Sequence, residues 1–279
     1  MKKITMGLIG LMGLMGFIGC DKISTDEMTV RDGAVINWTA GTAELAPVQR
    51  VMIEKFTGPK CSNCPRADET LDALHHQYGD SLVLVSVNHP SGQGEPFSGD
   101  PDMRTEGGTV WDNYYGIDAI PTAFINRDKG QRYEGSMSTI GNAVATALQG
   151  SPVVALKASA QMGSQVDITV DLQFKQAYRQ PLTLTVAIVE DSLVYNQIMP
   201  NYTIDPAYSH NHMLRKVVTG YWGRDIEADG NLGEKVRGTL SCQLPDGSRP
   251  ENCHIVVFVS DKSSRLVLNI AQCKVIGES

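Results

Sequence analysis

Two cysteines carry the clearest chemical signal in this chain. Cys61 and Cys64 stand at Cys-x-x-Cys spacing, directly after the apolar run from Val51 to Phe56 and the turn residues Gly58-Pro59, and just ahead of helix-forming sequence from Arg66 onward. The order matters, because unsatisfied N–H groups and the macrodipole at a helix N-terminus favour a thiolate. Cys61 is therefore expected at that N-terminus as the nucleophile, and Cys64, one turn further in, as its shielded partner. A structural zinc site needs four ligands, and no second Cys-x-x-Cys or closely spaced His pair of zinc-finger type occurs. A purely structural disulfide closing so short a loop would constrain the unfolded chain little.

Strand, turn, cysteine pair and helix is the setting in which such a motif reads as thioredoxin-like. The stretch Leu82 to Val87 reads as a buried strand, and Gly116 to Arg127 contains Ile120-Pro121-Thr122. In the thioredoxin-like proteins that this segment resembles, the proline is cis and packs beside the cysteines. The resemblance thus adds Pro121 to Cys61 and Cys64 as a site residue. Two departures leave the direction of electron flow open. The intervening dipeptide is Ser62-Asn63, and Lys55 occupies the strand position where thioredoxins carry a buried acid, with Glu54 on the opposite face by strand alternation.

Other chemically capable residues read mostly as structural. In the helix after Cys64, Ala67, Leu71, Leu74 and Tyr78 form one buried stripe, with Asp68, Glu69, Asp72 and His76 facing elsewhere and His75 at the border. His89, at a strand end, is the histidine best placed for a functional role, since strand ends in α/β folds border the site. His210 and His212 are expected on one face of a strand, but no third ligand completes a metal shell. Asp225 to Asn231 begins like an EF-hand loop, yet Val236 stands where the bidentate Glu belongs, so a turn is expected. No cofactor and no metal is implied.

The chain's organisation supplies the elements that position these residues. Residues 1–19 have a basic start and an apolar run too short to span a membrane, and read as a lipoprotein signal peptide. Phe17-Ile18-Gly19-Cys20 resembles a lipobox, which implies acylation of Cys20, with palmitate among the chains, and a membrane anchor. Removing residues 1–19 takes away Lys2 and Lys3, making an already acidic chain of formal charge −7 more so. That argues against nucleic acid as a partner. Residues 20–48 are a tether and lead-in. Residues 49–150, in the order βαβ…αββα, read as an α/β thioredoxin-like domain. Residues 151–279 turn to alternating strands, such as Val166 to Phe174, and read as an all-β immunoglobulin-like sandwich. There Cys242, Cys253 and Cys273 form an odd set; a bridge including Cys253 is expected, either Cys242–Cys253, which is preferred, or Cys253–Cys273, with a buried thiol left over.

Phe56-Thr57-Gly58, Cys61-Ser-Asn-Cys-Pro65, His210-Asn-His-Met-Leu-Arg215 and Trp222-Gly223 together resemble a family of Bacteroidota outer-membrane lipoproteins named after a 28 kDa Porphyromonas surface antigen. The resemblance spans nearly the whole mature chain and implies a lipid-anchored protein of the cell envelope. Two functions follow as alternatives. One is thiol–disulfide exchange with protein thiols or disulfides of the envelope. The other is a surface binding or adhesion lipoprotein in which the cysteine-bearing fold is only scaffold. The anchor is directly testable: wild-type protein is expected to fractionate with outer membrane and Cys20→Ala to be soluble. Equal membrane association of the two would refute it.

Overall fold

The computed structural model describes residues 33–277; the expected signal peptide, residues 1–19, and Cys20 lie outside the described residues. Strand β1 (Asn37–Ala40) leads in, and β2 (Val51–Thr57) and β3 (Leu82–Asn88) are buried along their whole length. Strands covered on both faces read as continuous apolar runs, and these two pair in parallel, as such strands do. Helix α1 (Cys64–Tyr78) connects them. Helix α2 (Glu106–Tyr115) follows β3, capped by the Thr105 hydroxyl and ended by Gly116 at φ +62°. Strands β4 (Thr122–Ile125) and β5 (Arg132–Glu134) extend the sheet beyond β2, and α3 (Ile140–Leu148) closes this half. Helices α1 and α3 cover one face through Ala67, Leu71, Ile140 and Val144; α2 covers the other with Trp111 and Tyr115.

The second half is all strand apart from one short 3-10 turn among the described residues. Strands β6 (Val154–Met162), β7 (Val166–Phe174) and β8 (Leu182–Glu190) are followed by four two-residue strands: β9 (Leu193–Val194), β10 (Gln197–Ile198), β11 (Ile204–Asp205) and β12 (Ser209–His210). Then come β13 (Met213–Val217), β14 (Arg224–Asp225), β15 (Lys235–Cys242), β16 (Cys253–Asp261) and β17 (Val267–Gly277). A layer of β1, β15, β7 and β6 packs on β8, β16 and β17 through Val170, Leu172, Val186, Ile188 and Val257. β17 belongs to both layers, pairing with β16 and then, at its end, with β6.

The expected division into an α/β thioredoxin-like domain and a separate immunoglobulin-like sandwich is corrected by this topology. The chain is mostly β with few helices, and strands from both halves run through one large mixed sheet. The junction is β13, antiparallel to β8 on one side and parallel to β3 on the other, with Met213 opposite both Glu190 and Ser86. One apolar cluster accordingly contains Met52, Phe56 and Val85 together with Val189, Leu214, Val256 and Phe258. The physical reason is the edge of β3. A fully buried strand cannot leave its N–H and C=O groups unpaired, and β13 together with the His212 carbonyl, which accepts from Ser86 N at 2.7 Å, supplies partners.

Register also corrects the expected hairpin bridge: Cys242, Cys253 and Cys273 are all free thiols. Cys273 lies opposite Ile255, two residues from the position facing Cys253, and diagonal positions are too far apart for a disulfide. Cys242 lies opposite Val166 on β15, whose neighbours are β1 and β7 and not β16. Cys273 is moreover only partly buried.

A buried ion pair of the first half packs against the second. Arg127 donates to Glu54 Oε1 from Nη2 at 2.6 Å and from Nε at 3.0 Å, while Tyr115 donates to Oε2 at 2.6 Å. The guanidinium lies over Trp111 and over Phe258 of β16. Removing one partner of such a pair strands the other charge, so Arg127→Met is expected to cost about 3–5 kcal/mol. Lys262→Met, which breaks the exposed pair with Asp225, should cost at most about 1 kcal/mol. Urea unfolding of both variants checks this, and comparable losses would contradict it.

Candidate functional site

The turn after β2 sets the cysteines at the end of the sheet. A Cβ on Gly58 would lie 2.3 Å from the Gln93 carbonyl oxygen, so only glycine lets the two loops touch. Cys61 N then donates to Gly58 O at 3.1 Å and Cys64 N to Cys61 O at 3.2 Å. The two cysteines are joined in a disulfide with Cα atoms 5.4 Å apart. Asn63 is the N-cap of α1, Cys64 its first residue, and Pro65 sits in the first turn, where a missing N–H does no harm. Cys61 therefore lies in the turn just ahead of the helix, and it is Cys64 that occupies the first helical position. The Ile120–Pro121 peptide is cis, and the Ile120 carbonyl oxygen lies 3.5 Å from Cys61 Sγ.

Both cysteines are shielded, not Cys64 alone: Cys61 is 1% exposed and Cys64 0%. Their cover comes from the second half of the chain. Residues 191–212 leave β8, fold back on themselves through the pairs β9–β12 and β10–β11, and return as β13. This strap is fastened to the turn by Ile198 N, which donates to Pro59 O at 2.8 Å, and by Gln197 Nε2, which donates to Cys61 O at 2.9 Å. Asn196 holds both oxygens of Asp100. Tyr195 stacks nearly parallel on His210 at 3.6 Å and joins Met103, Leu193 and Met213 in a small apolar cluster.

Beneath the strap, Lys55 is buried and paired with Asp68, which lies one helical turn along from Cys64. Tyr208 of the strap donates to the other oxygen of Asp68 at 2.9 Å. Burial pushes the Lys55 ammonium down to about 8, with Asp72 partly opposing, and burial pushes Asp72 upward. The helical pattern turns Asp68 away from the buried stripe and says nothing of Tyr208. The available signal was Lys55 itself, since an ammonium in an apolar strand requires an acid within reach.

His210 and His212 do not share a strand face. His212 sits at φ +56° between β12 and β13, which breaks the alternation. Its Nδ1 lies 3.4 Å from Asp191 Oδ1 and its ring meets His75 edge-on, whereas His210 faces Tyr195 and Tyr208. Burial holds His210 down to about 3 and His212 to about 4, so both are neutral at neutral pH. His75 Nδ1 bonds the Leu82 carbonyl. His89, at the end of β3, is held by Asp112 at 2.7 Å.

The family model described as outer membrane protein Omp28 matches residues 109–279, a stretch that includes the strap and Pro121 and begins after the cysteine pair. Among solved structures, the chain is similar to HBP35 of Porphyromonas gingivalis at 19% identity and a TM-score of 0.65, covering 83% of this chain and 77% of that one. Protein AGR_C_4864 from Agrobacterium tumefaciens is similar at 17% identity and a TM-score of 0.50, over 83% of this chain and 96% of that one. A domain of the outer membrane lipoprotein Omp28 from Porphyromonas gingivalis aligns at 22% identity and a TM-score of 0.31, over 46% of this chain and 92% of that domain. At these identities the likeness to HBP35 and to the Agrobacterium protein is one of fold. None of the curated proteins matches.

The strap's hold on the disulfide can be measured. Gln197→Ala removes the hydrogen bond from the strap to Cys61 O, worth about 1 kcal/mol, which should raise the fraction of open strap, and with it the rate of disulfide reduction, about five-fold. Alkylation of Cys61 and Cys64 during a time course in phosphine reductant reads this out; a variant reduced at the wild-type rate would show that the strap does not gate access.

Proposed function

The chain belongs to the Omp28 family of outer membrane proteins, whose model matches well over half of it, and its place is the outer membrane; from that premise we propose that Cys20 carries its lipid anchor and that Cys61–Cys64 is a strap-gated thiol–disulfide exchange centre for envelope proteins. The observation that carries the redox reading is the convergence on one disulfide of three features: the start of α1, the Ile120–Pro121 carbonyl against Cys61, and the Lys55–Asp68 pair one turn beyond Cys64. A structural staple between residues this close needs none of them.

In the oxidised form, a substrate thiolate attacks Cys61 Sγ, the Cys61–Cys64 bond breaks, and Cys64 leaves as thiolate. A second substrate thiolate then attacks the mixed disulfide, so that the substrate is oxidised and the pair reduced. The same steps in reverse reduce a substrate disulfide. Cys61 is the sulfur in contact with the Ile120 carbonyl, and on reduction that oxygen can accept its S–H.

The alternative, a binding or adhesion protein with an inert disulfide, draws support from the burial of both sulfurs. Trapping separates the readings. Cys64→Ser is expected to accumulate mixed disulfides through Cys61 in envelope extracts, and Cys61→Ser to accumulate none. The free thiols do not confuse the result, since burial pushes all three upward, Cys253 to about 12 and Cys273 to about 11. No trapped partner, together with a midpoint potential below about −300 mV, would assign the disulfide to structure.

A further inference from the structure

Beside the cysteine turn stands a second group of reactive side chains that the redox reading does not use. His89 leaves the end of β3 with Nδ1 2.7 Å from Asp112 Oδ2 and Nε2 3.4 Å from Ser91 Oγ. We propose that Ser91, His89 and Asp112 form a nucleophilic triad that transfers acyl groups from carboxylic esters to Ser91 and on to water.

The two ring nitrogens of His89 have different partners and therefore different roles. A carboxylate can only accept, so Nδ1–H donates to Asp112, which leaves the Nε2 lone pair directed at the serine hydroxyl. This is the division of labour a Ser–His–Asp triad requires, recognised by geometry and roles and not by sequence order. Asp112 is suited to the orienting role. It sits on α2 with its side chain 4% exposed, and His89 is the one side chain shown bonded to its carboxylate among the described residues. Burial pushes the Asp112 carboxyl upward while His89 draws it back. Ser91 is exposed and so can meet an ester from solvent.

The loop that bears His89 and Ser91 is fixed, although loops often are not. His89 N donates to Thr57 O at 2.9 Å, Lys60 N to Gln93 O at 3.0 Å, and Arg104 Nη1 to Pro90 O at 2.9 Å. Gly94 N returns to Ser91 O at 3.0 Å, and a Cβ on Gly94 would come within 1.8 Å of the His89 carbonyl oxygen, so the turn closes only with glycine. The serine is thereby held at a set distance from the ring, and its 3.4 Å separation is of the kind that tightens when substrate binds. The charged groups about this loop are Asp112 from α2, Lys60 from the turn below, and Arg104 with its partners Asp102 and Glu95.

In the reaction, Ser91 Oγ attacks the ester carbonyl as its proton passes to His89 Nε2. The C–O bond to the leaving alkoxide breaks, and that proton goes to the departing alcohol. Water, deprotonated by the same nitrogen, then attacks the acyl carbon; the bond to Ser91 Oγ breaks, the acid departs, and the proton passes from Nε2 to Oγ. No oxidant, reductant or cofactor enters.

The test uses the full chain with a fluorophosphonate, which phosphonylates Ser91 with loss of fluoride and a proton, and with p-nitrophenyl acetate. Expected are an adduct on the peptide containing Ser91 and ester turnover. Ser91→Ala, an exposed change that leaves the fold intact, should lose the adduct and at least about ten-fold in turnover. General-base catalysis contributes about 10²–10⁴-fold, so His89→Ala should lose at least about 100-fold in labelling rate. Asp112→Asn, whose role is positioning, should slow labelling, and Asp112→Glu, which returns a carboxylate to the Nδ1 side of the ring, should recover part of the rate that Asp112→Asn loses. Absence of an adduct at Ser91 in folded protein, or Ser91→Ala turnover equal to wild type, would overturn the proposal.

Discussion

The edge of β3 is the constraint on which the rest of the structure depends. Every residue from Leu82 to Asn88 is buried, with α1 and α3 on one face and α2 on the other, so its outer row of backbone groups has no water to bond. β13 meets that need by coming in parallel to β3, and in doing so it fixes where the chain must travel. β8 ends at Glu190 opposite Met213, so residues 191–212 have to leave the sheet and return to the same place. They do so across the turn that bears the cysteines. The cover over the disulfide is thus a consequence of how two sheets were joined, and it brings Gln197, Tyr208 and His210 to a site encoded more than a hundred residues earlier.

Buried charges then hold the register of that junction. Glu54 and Lys55 are neighbours on β2 and point to opposite faces, where each finds its partners: Arg127 with Tyr115 for the first, Asp68 with Tyr208 for the second. Glu190, also fully buried, is paired with Arg215 of β13 and accepts from Arg249 N at 2.9 Å. A strand slipped by one residue would exchange faces and leave at least one of these charges unpaired in the interior. Apolar packing alone would penalise such a slip less, because β2 and β3 are apolar on both sides.

Much of this was legible in the residues. The Cys-x-x-Cys at a strand-to-helix turn, the strands of the first half, the helix stop at Gly116 and the alternating strands from Val166 onward each follow from local pattern. What pattern does not carry is partnership. Leu82 to Val87 announces a buried strand without saying that Met213 will lie beside it, and the apolar stripe of α1 locates Leu71 without revealing that Asp68 is needed by Lys55. The three loose cysteines show the same limit: flanking a turn makes two residues neighbours in sequence, whereas bonding them depends on register, which here sets Cys273 opposite Ile255. His212 escaped a period-two reading for a different reason, since a positive φ at one non-glycine residue resets which way the side chains face.

The free thiols also bear on how the disulfide would have to work. Burial alone pushes Cys273 up to about 11, and with the nearby Glu190 charge it pushes Cys253 to about 12; neither forms a thiolate near neutral pH. A Cys61 thiol left under the closed strap would meet the same desolvation and, in place of a cation, a carbonyl oxygen able to accept its proton. The first turn of α1 opposes this, and a helix terminus is worth about 0.3–2 kcal/mol. Lifting the strap rehydrates the sulfur, which removes the desolvation and leaves the helix terminus to favour the thiolate. Segment 191–212 would therefore govern the nucleophilicity of Cys61 as well as access to it, so that in the reduced protein the sulfur becomes reactive only at the moment a partner can reach it.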